Sequence, residues 1–169
     1  MTVEDRLVGA LVDQHAQLRD LLRAAARARA GQRAEAVERL LRVVAVHVAA
    51  ERVALTPPGE STSGRPEQDL VTAVELLEDL GAHGATSTVR LGVVAAALVR
   101  HARHGEEETV PRYVATHDEF DIRWAATALG SVPDLVAEVG PAAAVPVGVS
   151  FRQQLRAALD AVREALRHA

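Results

Sequence analysis

The chain has 169 residues, a net charge of −4 with acids and bases interspersed, and no cysteine. That length fits one domain with a buried core; the missing cysteines exclude disulfides and thiolate-held metals, and the charge balance offers no footprint for nucleic acid or an anionic membrane surface. No apolar run approaches the roughly 20 residues of a membrane span, and the opening MTVEDRLVGA lacks a signal-peptide layout, so a cytoplasmic location is expected.

Thr2 opens the first helix, with Glu4 and Asp5 favourably placed in its first turn. Leu7, Leu11, Leu18 and Leu22 recur at helical spacing up to Gly31, which reads as the stop, and His15 falls on the same stripe. A second helix over about 32–55 carries Leu40, Val44, His47, Glu51 and Leu55 on one face and ends before Pro57 and Pro58. The turn-rich segment 57–67 leads to a third helix over 66–80, with Pro66 in its first turn and Leu70, Ala73, Val74, Leu77 and Leu80 on its apolar side.

After the loop GAHGATS, Ser87 is placed to cap a fourth helix over 88–116, with Leu91, Val94, Leu98 and His101 sharing a face and Pro111 kinking its end. A short helix over 118–129 and a Pro/Gly-rich segment precede the amphipathic FRQQLRAALDAVREALRHA. The four aromatic residues, Tyr113, Phe120, Trp124 and Phe151, all lie late in the chain, so everything before them packs with Leu, Val and Ala, which suits closely approaching helices. The expected fold is all-α, an up-down-up-down four-helix bundle over 1–128, a connection over 129–149 and a further helix over 150–169.

Three histidines, His15, His47 and His101, occupy apolar stripes of three different helices. One such histidine is usually a satisfied core residue; burying three without a shared partner costs on the order of 1–3 kcal/mol each, and a shared metal ion removes that cost. His47 and Glu51 stand four apart, on one helical face, so both can reach one ion. His101 and Glu106 are five apart and overshoot an ideal turn; a local widening at Gly105 would bring Glu106 round to the same ion. The bland alternative makes Glu106, Glu107 and Glu108 a solvated acidic face.

The segments LVDQHAQLRDLL, HVAAERVALTP and HARHGEEETVP, the last two each with a proline ten residues after the leading histidine, resemble the hemerythrin-like (HHE) domain family over residues 5–116. The resemblance implies a four-helix bundle enclosing non-haem iron, one or two ions, that binds or senses O2 or a small oxidant, more often without enzymatic turnover. It assigns His15, His47, Glu51 and His101 as ligands. The family places an acid four or five residues after the fourth-helix histidine; Gly105 fills the first of these positions, so Glu106 takes the role. The third helix departs from the family, having no histidine; Asp69 is the candidate replacement, with His104 and Glu108 as further candidates, while His83, His117 and His168 read as surface residues.

Imidazole and carboxylate ligands suit iron without excluding another divalent metal. The alternative, from a different class, is a metal-free helical interaction module that kept the fold and takes a protein partner or a second copy, its C-terminal helix docking on the bundle or on a partner. A ferritin-like oxidase is disfavoured, because none of the seven histidines follows a glutamate by three residues.

Overall fold

A computed structural model describes residues 2–56, 65–78, 86–134 and 149–167. His83, His168 and most of the two connections expected at 57–67 and 129–149 lie outside the described residues. The helices are α1 (Val3–Arg27), α2 (Ala30–Leu55), α3 (Arg65–Glu78), α4 (Thr86–His104), a π-helical segment (Gly105–Thr109), α5 (Val110–Thr116), α6 (Glu119–Gly130) and α7 (Phe151–Arg167). The protein is an all-α bundle, with no strand among the described residues. None of the described helices is long and apolar enough to cross a membrane.

Local chemistry sets the helix ends. Thr2 and Asp5 form a reciprocal cap at the start of α1: the Thr2 hydroxyl accepts from the Asp5 amide (3.0 Å) and the Asp5 carboxylate accepts from the Thr2 amide (2.7 Å), satisfying two donors that a helix start leaves open. Asp118 caps α6 in the same sense by accepting from the Asp121 amide at 3.0 Å. Between α1 and α2 the chain turns earlier than Gly31 suggests. Ala28 and Arg29 take extended conformations and Gly31 already lies inside α2. Arg33 reaches back to donate to the Ala28 carbonyl (3.0 Å), satisfying a group at the helix end that a glycine stop would otherwise have served.

The helix expected over 88–116, with a widening at Gly105 and a kink at Pro111, is α4, the π segment and α5 end to end, and Pro111 is the second residue of α5, directly after the π segment.

α1 lies against α2, α4 and α6, and α3 lies against α4. α7 runs along α2 and also touches α3. Its first residue, Phe151, is fully buried, and the Phe151 amide donates to both carboxylate oxygens of Glu78 at the end of α3 (2.8 and 2.9 Å). The largest aromatic contribution to the core therefore comes from the last helix, against an interior otherwise built of Leu, Val and Ala such as Leu18, Leu40, Val48 and Leu98. Small residues such as Ala49, Ala50 and Ala97, all fully buried, leave room at the centre for larger polar side chains.

Candidate metal centre

Four buried polar side chains from three helices converge in the bundle. His15 comes from the middle of α1, His47 and Glu51 from one face of α2, and His101 from the last turn of α4; all four are buried. One ligand atom from each lies within 4.8 Å of every other, so this set can hold a metal ion. His47 Nε2 is 3.0 Å from His101 Nε2, and His101 Nε2 is 3.0 Å from Glu51 Oε2. The other Glu51 oxygen, Oε1, stands 3.7 Å from both His15 Nε2 and His47 Nε2. Donors bound to one ion at ~2.1 Å stand roughly 3.0–3.4 Å apart when adjacent, so these spacings need only small side-chain movements to close around a cation.

The rings meet edge to face, with centroids 5.0, 5.5 and 5.2 Å apart and interplanar angles of 72°, 84° and 86°. Mutually steep rings aim nitrogens at a common point instead of stacking their faces.

Two imidazoles have their outer nitrogens engaged. His15 Nδ1 is 2.8 Å from Glu106 Oε1, and His47 Nδ1 is 2.8 Å from Gln14 Oε1. A carboxylate or amide oxygen accepts only, so both histidines carry a proton on Nδ1 and turn Nε2 inward. His15 Nε2 is then a buried nitrogen without a hydrogen-bond partner. A buried inward nitrogen without a hydrogen-bond partner, facing a carboxylate and two further imidazoles, is what a cation would satisfy. The donor set of three imidazoles and one carboxylate fits a first-row divalent metal and is too nitrogen-rich for calcium or magnesium.

Electrostatics agree with the geometry. Burial pushes the His47 pKa down to about 3 against the pull of Glu51, so this ring is neutral. Burial also opposes the charged form of His101, but Glu51 overcomes it and raises the His101 pKa, with Glu67 adding to the effect. Glu51 is held well below the usual carboxylate range: burial opposes its ionisation, and His101 and His47 outweigh it. The cluster thus holds an anionic carboxylate beside an imidazole that favours its proton.

Gly105 shapes the wall of this pocket. A Cβ there would lie 3.4 Å from His15 Cε1 and 3.6 Å from Glu51 Oε1, ordinary contact for a methyl group and too close for anything larger. Gly105→Ala is therefore expected to keep stability within about 1 kcal/mol of the parent. Gly105→Leu should cost about 1–3 kcal/mol by overpacking and displace His15 or Glu51; denaturant unfolding of both variants checks this.

The π segment starting at Gly105 is the widening that the five-residue spacing calls for. It carries Glu106 round to His15 Nδ1, on the far side of that ring from the nitrogen facing Glu51. Of the other candidates, Asp69 pairs with Arg100 at 3.6 Å and His104 pairs with Glu108 at 3.2 Å along their own helix, and none of the three belongs to the cluster. His117 stacks on Tyr113, with ring centroids 3.9 Å apart.

Two residues near the site escaped the sequence reading. Gln14 is buried beside His15 and holds His47. On α3 the buried acid is Glu67, two residues before Asp69, whose Oε1 accepts from Arg52 Nε (2.8 Å) and Nη2 (2.7 Å). Each lies on its helix's inward stripe, Gln14 with Leu7, Leu11 and Leu18, and Glu67 with Leu70, Val74 and Leu77. A search for any polar residue at core spacing would have found both.

The fold and site together define an all-α bundle with a buried His/Glu cluster able to hold a metal. No family model, curated protein or solved structure matches the chain.

Proposed function

We propose that this chain is a hemerythrin-like, non-haem iron protein that binds or senses O2 or a small oxidant. The observation that carries the reading is the buried His15 Nε2, without a hydrogen-bond partner and facing one carboxylate and two further imidazoles, the four residues coming from three helices. The HVAAE and HARHGEEE segments that carry the family resemblance supply three of the four donors. His15, His47, His101 and Glu51 would hold the ion, with Glu106 and Gln14 orienting two of the imidazoles from outside. Iron so held supplies one-electron redox chemistry and coordination positions open to O2 or a small oxidant.

The residues' own part is to present three imidazole nitrogens and one negative charge in a buried site. Glu51 offsets part of the metal's charge, and the surrounding Leu, Val and Ala side chains exclude water. Four donors gathered around one point fit one ion per chain.

Elemental analysis of untagged protein, expressed with iron and purified without chelator, tests this reading. About one iron per chain, lost in His47→Ala, is the expected result. A folded protein that takes up no metal when iron is offered would instead make the chain a helical interaction module. Zinc in place of iron would keep the site and remove the oxygen chemistry.

A further inference from the structure

Gln14 is tied at both ends. Its Nε2 donates to the Leu129 carbonyl in the last turn of α6 at 2.6 Å, and its Oε1 faces His47 Nδ1 at 2.8 Å. On the metal-binding reading above, we propose that Gln14 is the positioning residue that fixes which nitrogen His47 offers to the ion, and that α6 locks Gln14 in that role.

Every hydrogen bond from Leu129 through Gln14 to His47 has a fixed direction. A backbone carbonyl accepts only, so the amide nitrogen of Gln14 must face Leu129 and the amide oxygen must face His47. An amide oxygen accepts only, so His47 Nδ1 must carry the proton. A neutral imidazole protonated at Nδ1 keeps its lone pair on Nε2, the nitrogen 3.0 Å from His101 and 3.7 Å from Glu51. Gln14, His47 and Leu129 are all buried, Leu129 and His47 completely, so bulk solvent does not reach this link to replace it. The corresponding acceptor for His15 differs: the Glu106 side chain is one-third exposed, and solvent can substitute for it. Of the two outer acceptors, Gln14 is the one without a substitute, and it makes the seating of α6 on α1 a condition of the site.

Two measurements on the full chain test this. The first reads the His47 tautomer in metal-free protein by long-range 15N–1H correlation, with no substitution needed. The second compares cobalt(II) affinity, by competition with a chelator, for the parent, Gln14→Leu and Gln14→Glu. Leucine keeps the bulk and removes both links. A neutral glutamic acid at this buried position can donate to Leu129 and accept from His47 as the amide does.

A proton on His47 Nδ1, cobalt binding weakened about 10–100-fold in Gln14→Leu, and binding within a few-fold of the parent in Gln14→Glu are the expected results. A proton on Nε2 overturns the proposal, as does a Gln14→Leu variant that binds cobalt like the parent. Equal losses in both variants would also overturn it, reducing Gln14 to a strut between α1 and α6. If Gln14→Leu does not fold, the tautomer and the Gln14→Glu affinity decide. Failure of the parent to bind cobalt would sink the metal reading itself, while the tautomer would still decide what Gln14 does to His47.

Discussion

Glu51→Gln is expected to weaken cobalt(II) or iron(II) binding by more than about a hundredfold while leaving the helices in place. Outer hydrogen-bond partners of metal ligands already contribute about 10–100-fold to affinity, and Glu51 would be a ligand, the one carboxylate placed among all three histidines. Glutamine keeps the shape and one acceptor oxygen but removes the only negative charge in the four-residue cluster. The same charge sustains the proton on His101, so the metal-free variant should also lose the raised His101 pKa. Competition titration reads the affinity, circular dichroism the fold, and histidine NMR titration the pKa. Binding at the parental level would show that the ion, if any, sits elsewhere.

The second large effect concerns pH. Stability of the metal-free protein should pass through a maximum near pH 6.5 and fall on both sides. On the acid side, His47 has a folded pKa of about 3 against an ordinary value of 6.5, so between these limits the unfolded chain binds more protons than the native one. Stability is therefore lost as pH falls through that window, by several kcal/mol in total at about 1.4 kcal/mol per pH unit. Below pH 4.5, Glu51 adds to the loss, because its depressed pKa means that the native state resists a proton the unfolded state accepts. On the alkaline side the sign reverses. The raised pKa of His101 contributes stability that is fully present below 6.5 and disappears as pH climbs through its folded value. Urea unfolding at a series of pH values, without metal, measures this. His47→Leu should flatten the acid limb, and a parent curve level from pH 4 to 7 would contradict the buried neutral imidazole.

Periodicity made the helices legible because they bury Leu and Val at regular steps: the stripe Leu7, Leu11, Leu18 and Leu22 is inward in the folded chain as the spacing predicts. The same stripes placed His15, His47, Glu51 and His101 in one interior, since a polar residue at a core position must find a partner there. The local spacing of His101 and Glu106 even called for the widened turn. Asp69 illustrates where such reading ends. Glu67 lies in the first turn of α3 and Asp69 just beyond it, and which of them faces inward depends on the rotation of that helix about its axis, set by packing against α4. Gln14 was hidden for a different reason: its two partners lie 33 and 115 residues away, and hydrogen bonds of that range leave no local pattern. The seat of Phe151 against the end of α3 was equally out of reach, being fixed by a carboxylate 73 residues earlier.

The π segment does more than deliver Glu106. A regular α-helix advances about 100° per residue, so in an unbroken helix Val110 would emerge nearly opposite His101 and Tyr113 well off its line. Both are buried, however, like His101. By spending one residue without its usual rotation, the segment Gly105–Thr109 works as a vernier between two stretches of helix whose apolar stripes are out of phase. Removing a single residue there would straighten the helix, swing Glu106 into the place of Gly105, and force a choice between the phase of the metal cluster and that of the core beneath α5. A backbone irregularity that looks local therefore lets one continuous rod serve two interiors.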